Sequence, residues 1–128
     1  MADTVVVVNR GLQIVTDRLM GSGTEPKYLG WGTGTTAAAS TDAGLETARA
    51  EGYVTGTSTN ADTNTTLDTY RVTGTITCSG SSGTISEVCL FDSSSTTANA
   101  FLRGTFTGIS LNVADSIAFT INAVFDQA

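Results

Sequence analysis

The sequence predicts a mainly β chain, folded as an antiparallel β-sandwich of jelly-roll or immunoglobulin-like type. One N-terminal α-helix and a short second helical turn accompany it. Three observations predict this. Ser and Thr fill more than a quarter of the 128 residues, with Thr alone at 24, and Thr favours strands while Ser favours turns. Strand-like segments recur at regular spacing from residue 48 onward. Two of them alternate cleanly: Val72, Gly74, Ile76 and Cys78 against Thr73, Thr75 and Thr77, and Ile117, Phe119, Ile121 and Ala123 against Ser116, Ala118, Thr120 and Asn122. One dry face per strand requires two sheets around a shared core. Disorder is the competing reading of so much Ser, Thr and Gly, but a hydrophobic fraction of 40% and the alternation oppose it. Residues 1–128 read as one domain, without linker or internal repeat.

Residues 1–8 form an N-terminal arm or first strand. Val5, Val6, Val7 and Val8 read either as a β-prone edge that adds to a partner's sheet or as an inner strand. Residues 9–21 predict a helix. Asn9 is a good N-cap, Leu12, Val15 and Leu19 fall on one stripe widened by Ile14, and Gly21 is the stop. A sheet face is the expected partner of that stripe. Residues 26–126 supply the sandwich strands. The first is PKYLGW (26–31), left through the glycine loop that follows. STDAGLETA (40–48) predicts one helical turn capped by Ser40 or Thr41. Strands are then expected over 48–59, 67–78, 84–92, 99–107 and 115–126. The pair 67–78 and 84–92 reads as a hairpin around SGSSG (79–83). If Cys78 pairs with Thr84 across that turn, Cys89 faces Thr73, too far from Cys78 for a disulfide, so both cysteines read as free thiols.

Composition excludes several functions. Charged residues make up 14% of the chain and the net charge is −6, which argues against nucleic acid and against anionic membrane surfaces as partners. No run approaches the length of a bilayer span, and MADTVVVVNRG lacks a basic n-region and a long apolar core. Synthesis in the cytosol without a recognisable export signal is the expectation. There is no histidine and there are two cysteines, so Ser-His-Asp, Cys-His and His/Cys zinc arrangements are absent. Asp42, Glu51, Asp62, Asp68, Asp92 and Asp115 sit where solvated acids usually lie, so no enzyme is expected. Asp62, Asn64 and Asp68 fall in one loop at a spacing that suits Ca²⁺, but the loop lacks the EF-hand glycine and glutamate and reads as a polar turn. No metal or cofactor is expected. Irregular spacing argues against the Thr-x-Thr runs forming an ice-binding array. Trp31, Tyr28 and Tyr53 could make a sugar-stacking platform, but a lone Trp beside a glycine turn is more often a core or interface anchor.

The stretch YLGWGTGTT (28–36) raises the question of a phosphate cradle. Its G-x-G-x-G spacing is neither a P-loop nor a dinucleotide fingerprint, and Lys27 lies before it. It reads as a tight strand exit.

The order of motifs adds a resemblance. N-x-G-L-x-x-V-x-x-x-L (Asn9 to Leu19) precedes Y-L-G-x-G-T-G-T (Tyr28 to Thr35) and A-x-x-T-D-x-x-L (Ala38 to Leu45). Then come I-S-E-V-C-L-F-D (Ile85 to Asp92), F-L-R-G-T-F (Phe101 to Phe106) and D-S-I-x-F-T-I (Asp115 to Ile121). This resembles small bacteriophage virion proteins, which recur as capsid decoration (cement) proteins and as tail or baseplate fibre modules. Cys89 stands where that pattern commonly has Gly. The resemblance implies a structural corner at Trp31, Gly32, Gly34 and Leu45. It also implies a homotrimer on the outer surface of the virion, bound to the major capsid protein. The expected contact elements are the arm from Met1 to Val8, with Val5 to Val8 as its β-prone edge, and the long polar loops. A tail or baseplate component and a carbohydrate- or receptor-binding module are the alternatives.

Overall fold

In the computed structural model, which describes residues 4–126, the chain runs β1 (Thr4–Val7), α1 (Asn9–Leu19), β2 (Tyr28–Gly32), β3 (Val54–Thr55), β4 (Thr57–Ala61), β5 (Thr69–Thr77), β6 (Gly83–Phe91), β7 (Ala100–Leu111) and β8 (Ser116–Val124). Residues 1–3 of the expected arm and residues 127–128 lie outside the described residues. The strands form two antiparallel sheets, a five-stranded one in the order β1-β7-β6-β2-β3 and a three-stranded one in the order β4-β5-β8. Their facing side chains make one core of Leu29, Trp31, Val72, Ile76, Ile85, Val88, Leu90, Leu102 and Ile121, with Ile14 and Phe101 at one end. The alternation expected in 72–78 and 117–123 is the one observed: in both strands the exposed residues are the Thr, Ser, Ala and Asn set.

The larger sheet is covered on both faces. Every residue from Ile85 to Phe91 is buried. Val88 and Leu90 face the smaller sheet, while Cys89 and Phe91 join Val8 and Ala100 in a second apolar cluster that Tyr28, Leu45 and Tyr53 help to close. Residues 33–53 supply much of that third layer.

Four expectations are corrected. The strand expected over 48–59 is two strands in different sheets, because the chain crosses from one sheet to the other at Gly56, where a side chain would overlap Leu29 and Val72. The hairpin expected around 79–83 does not form: β5 pairs with β4 and β8, β6 pairs with β2 and β7, and SGSSG carries the chain between sheets. Both cysteines are nonetheless free and buried. No helical turn forms at 40–48, since the amides of Glu46 and Thr47 donate to the Glu87 carboxylate at 2.9 and 2.8 Å and not to carbonyls four residues back.

The fourth correction concerns the helix. It ends at Leu19, and Gly21 at φ 79° closes it through Gly21 N–Arg18 O and Ser22 N–Asp17 O bonds of 3.0 and 2.9 Å. Its N-cap is Val8 and not Asn9, and no side chain caps it; the Asn9 amide donates to Ser40 O at 2.8 Å. Its buried face is Gly11 and Ile14, with Val15 half-buried, whereas Leu12 and Leu19 are 59% and 83% exposed. The reason is Gly11, which rests on the backbone of Phe101 so closely that a Cβ would overlap Phe101 O. The helix therefore docks on the start of β7. Gly11→Ala should lower stability by about 1–2 kcal/mol, although helix propensity alone favours alanine by about 1 kcal/mol. Thermal unfolding of the variant checks the sign.

Candidate functional site

Gly30, Gly32 and Gly34 share one face of the β2 segment, and Leu29 and Trp31 point the other way into the core. Each glycine makes room for the layer above it. Gly30 lies under the Tyr53 ring, which stacks on Phe91 with centroids 4.1 Å apart. Gly32 lies under Thr47, whose carbonyl accepts from Thr33 N at 2.9 Å, and Gly34 lies against Glu46. The run is a flat bed for residues 42–53. The amides that a phosphate would use are taken by the protein's own carboxylates: Gly34 N donates to Glu87 Oε1 at 3.1 Å, and Thr35 N and Thr36 N donate to Glu46 Oε1 at 2.9 and 3.2 Å. Hydrogen bonding from Thr36 holds the Glu46 carboxyl below its ordinary value. The Lys27 ammonium pairs with Glu25 at 3.8 Å, in an exposed contact of little energetic weight.

At the centre of the corner is Glu87, fully buried in the middle of β6. It accepts from the amides of Gly34, Glu46 and Thr47 and from Arg103 Nε at 2.9 Å. Arg103, 2% exposed, also donates through Nη1 to Asp42 Oδ2 at 2.9 Å. The Ala39 amide and then Arg103 hold the Asp42 carboxyl below its ordinary value. Ser86 Oγ adds a 2.7 Å bond to Gly34 O. Arg103 Nη2 is buried without a hydrogen-bond partner among the described residues. One buried ion pair thus ties two adjacent strands to the covering layer. Its carboxylate is saturated, so it offers no base or metal ligand.

The four corner residues named from sequence do not form one contact set. Gly32 and Gly34 belong to the Glu87 cluster. Leu45 lies with Phe91 and Tyr53 on the outer face, and Trp31 lies in the core on the opposite face. Trp31 is 1% exposed and edge-on to Phe119 at 6.5 Å, so it presents no stacking face to solvent. Its indole N–H donates to Glu51 Oε1 at 2.8 Å, and Glu51 is also held by Arg49 at 3.0 and 2.9 Å and by Ser79 N at 3.2 Å. Arg49 reaches on to Ser81 O and Cys78 Sγ, pinning the 78–83 crossover.

Glu87 and Arg103 are the central residues that sequence reading missed. The signal was one acid inside ISEVCLF and one base inside AFLRGTF, each in an apolar strand where a lone charge needs a partner. Asp42 and Glu51, expected as solvated acids, are instead structural acceptors.

The hydrogen bonds from Arg49, and then those from Trp31 and Ser79, bring the Glu51 pKa from 4.5 to about 2. A depressed folded-state value adds stability that is complete above the unfolded value and lost as pH falls toward the folded one. The urea midpoint should therefore fall as pH drops from 4.5 to about 2. Glu51→Gln should remove that share of the pH dependence.

In the 61–68 loop, Asp68 accepts the amides of Thr63, Asn64 and Thr65, each at 2.9 Å, and Asp62 accepts Leu67 N at 2.7 Å. The Thr65 amide is the largest of the causes that bring Asp68 to a pKa of about 2. These carboxylates organise the turn itself. No three of His, Cys, Asp and Glu converge in a metal-binding group among the described residues. Burial pushes the Cys89 thiol well above its ordinary value, so it is no nucleophile at neutral pH.

Of the arm residues, Val5, Val6 and Val7 lie on β1, the outermost strand of the larger sheet, with Val5 59% and Val7 38% exposed. Val8 is fully buried with Cys89, Phe91 and Ala100, which removes it from any outer contact. No protein-family model, no curated protein and no solved structure matches the chain.

Proposed function

We propose that this protein is a bacteriophage capsid decoration protein. It binds the assembled shell as a homotrimer and bridges neighbouring subunits of the major capsid protein on the outer surface of the virion. The observation that carries this reading is the convergence of the motifs behind the resemblance. Gly34 of LGWGTGT, Asp42 of TDAGL, Glu87 of ISEVCLF and Arg103 of FLRGTF come from four separate segments and meet in one hydrogen-bonded corner. Motifs joined in this way behave as one unit, and their shared order along the chain is then a property of a module. The corner serves rigidity and leaves contact to the periphery. The free edge of β1 is a suitable contact element: it is uncharged, has valines exposed, and has no strand on its outer side among the described residues. Several such contacts per copy, spread over neighbouring shell subunits, stabilise a shell by multivalency and binding linkage.

Cosedimentation with shells lacking the protein tests this. Saturable binding at a copy number set by the shell's symmetry is expected. Val7→Lys, which places a charge on the β1 edge, should weaken binding by about tenfold or more while leaving the fold intact. Cosedimentation with tails or host envelopes, and not with shells, would reassign the module to the tail, baseplate or receptor-binding apparatus.

A further inference from the structure

The two sheets have unequal widths, and the mismatch is on one side. The β3 edge and the β4 edge are joined through Gly56 and lie together, so the surplus strands of the larger sheet project at the other side, past β8. There the inner face of β7 and β1 forms the floor of an apolar trough and β8 forms its wall. Val5, Leu102, Phe106, Ile109, Ile117 and Phe119 are among its lining, which contains no charged residue among the described residues. Val5 and Ile109 are 59% and 39% exposed. The floor is low at Gly104, where a Cβ would already press on Val5 at 3.2 Å.

The phase of the β5–β8 ladder shows what the wall presents. At its ends Cys78 N donates to Asp115 O at 2.8 Å and Phe125 N donates to Asp68 O at 2.9 Å. In the register Ile76↔Ile117 to Tyr70↔Ala123, the odd-numbered residues of β8 therefore bond to β5. The N–H and C=O groups of Ala118, Thr120 and Asn122 point to the open edge. Edges exposed in monomers usually carry Lys, Pro or a bulge. SIAFTINAV carries no charge and no proline, and its pairing with β5 runs without a bulge.

We propose that this trough accepts one extended strand of a partner protein, bearing alternating uncharged aliphatic side chains, which pairs with β8 and lays those side chains over β7 and β1. These backbone groups, unpaired among the described residues, suit a strand, and the apolar lining suits aliphatic side chains on one of its faces. The overhang of β7 and β1 leaves room for a strand beside β8. A second copy docked edge to edge would drive its own overhang into this floor. The proposal holds whether or not the partner is a shell subunit.

The probe is a blocked, fluorescent Val-Thr-Val-Thr-Val-Thr peptide, titrated by anisotropy. Saturable one-to-one binding is expected. Thr120→Pro deletes an edge-facing N–H, leaves the β5 ladder untouched, and should weaken binding by about tenfold or more. Thr120→Ala should bind like the parent. Ile109→Lys, at an exposed floor position, should also weaken binding and keeps the test open if the proline variant misfolds. The proposal is overturned by absence of saturable binding to the parent protein, or by full binding to both Thr120→Pro and Ile109→Lys. It is also overturned if the protein alone is an oligomer that Thr120→Pro disperses, which would assign the edge to a second copy.

Discussion

Glu87→Leu should destabilise the protein by about 3–5 kcal/mol, the cost of breaking a buried ion pair from one side. Leucine fills similar space but leaves Arg103 nearly unexposed, with Asp42 as its remaining carboxylate, and it orphans the amides of Gly34, Glu46 and Thr47. Arg103→Met should cost less, by about 1–2 kcal/mol, because Glu87 then keeps three amide donors. The double variant is the decisive one. Replacing both members of a buried pair with apolar residues is often neutral. Here it should stay close to Glu87→Leu, since the three amides remain without an acceptor. Urea unfolding of the three variants gives the order, and a double variant as stable as the parent would show that the amides do not depend on Glu87.

Gly32→Ala should cost about 3 kcal/mol, at the upper end of what overpacking does. The new Cβ would overlap Thr47 O and Glu87 Oε1. Neither can retreat cheaply: Thr47 O accepts from Thr33 N at 2.9 Å, and Glu87 is held by four donors. Gly80→Ala is the internal control, because nothing lies within 4 Å of a Cβ there. It should change stability by less than about 0.5 kcal/mol. Equal melting temperatures for the two variants would mean that the covering layer is not pressed on β2 as described.

Different parts of this molecule were legible to different depths. The strands 72–78 and 117–123 could be read residue by residue, because alternation of burial follows from the pleat alone. The end of the helix was equally readable, since Gly21 supplies a left-handed residue that few others adopt. The face of the helix was not. Leu12 and Leu19 outweighed Gly11 in the apolar pattern, yet close backbone approach selects the residue without a side chain. The turn residues of SGSSG mark a reversal of the chain but carry no information on whether the next strand pairs with the last one or crosses to the other sheet. The corner was half visible. Its glycines, Asp42, Glu87 and Arg103 all stood in the quoted motifs, but Asp42 was assigned to solvent and Glu87 and Arg103 were passed over, because their partners lie 16 to 61 positions away.

By itself, the sequence determined the β class, the alternation of the strands, the helix with its stop, and an inventory without histidine. Only the tertiary structure decided which strands pair, which helix face is buried, and that a loop of Gly, Thr and Glu lies flat over a sheet on a buried carboxylate. The physical reason is range. Pleat, turn and cap preferences act over a few residues. Strand partnership and the neutralisation of a buried charge are set by groups that meet only when distant segments close on one another.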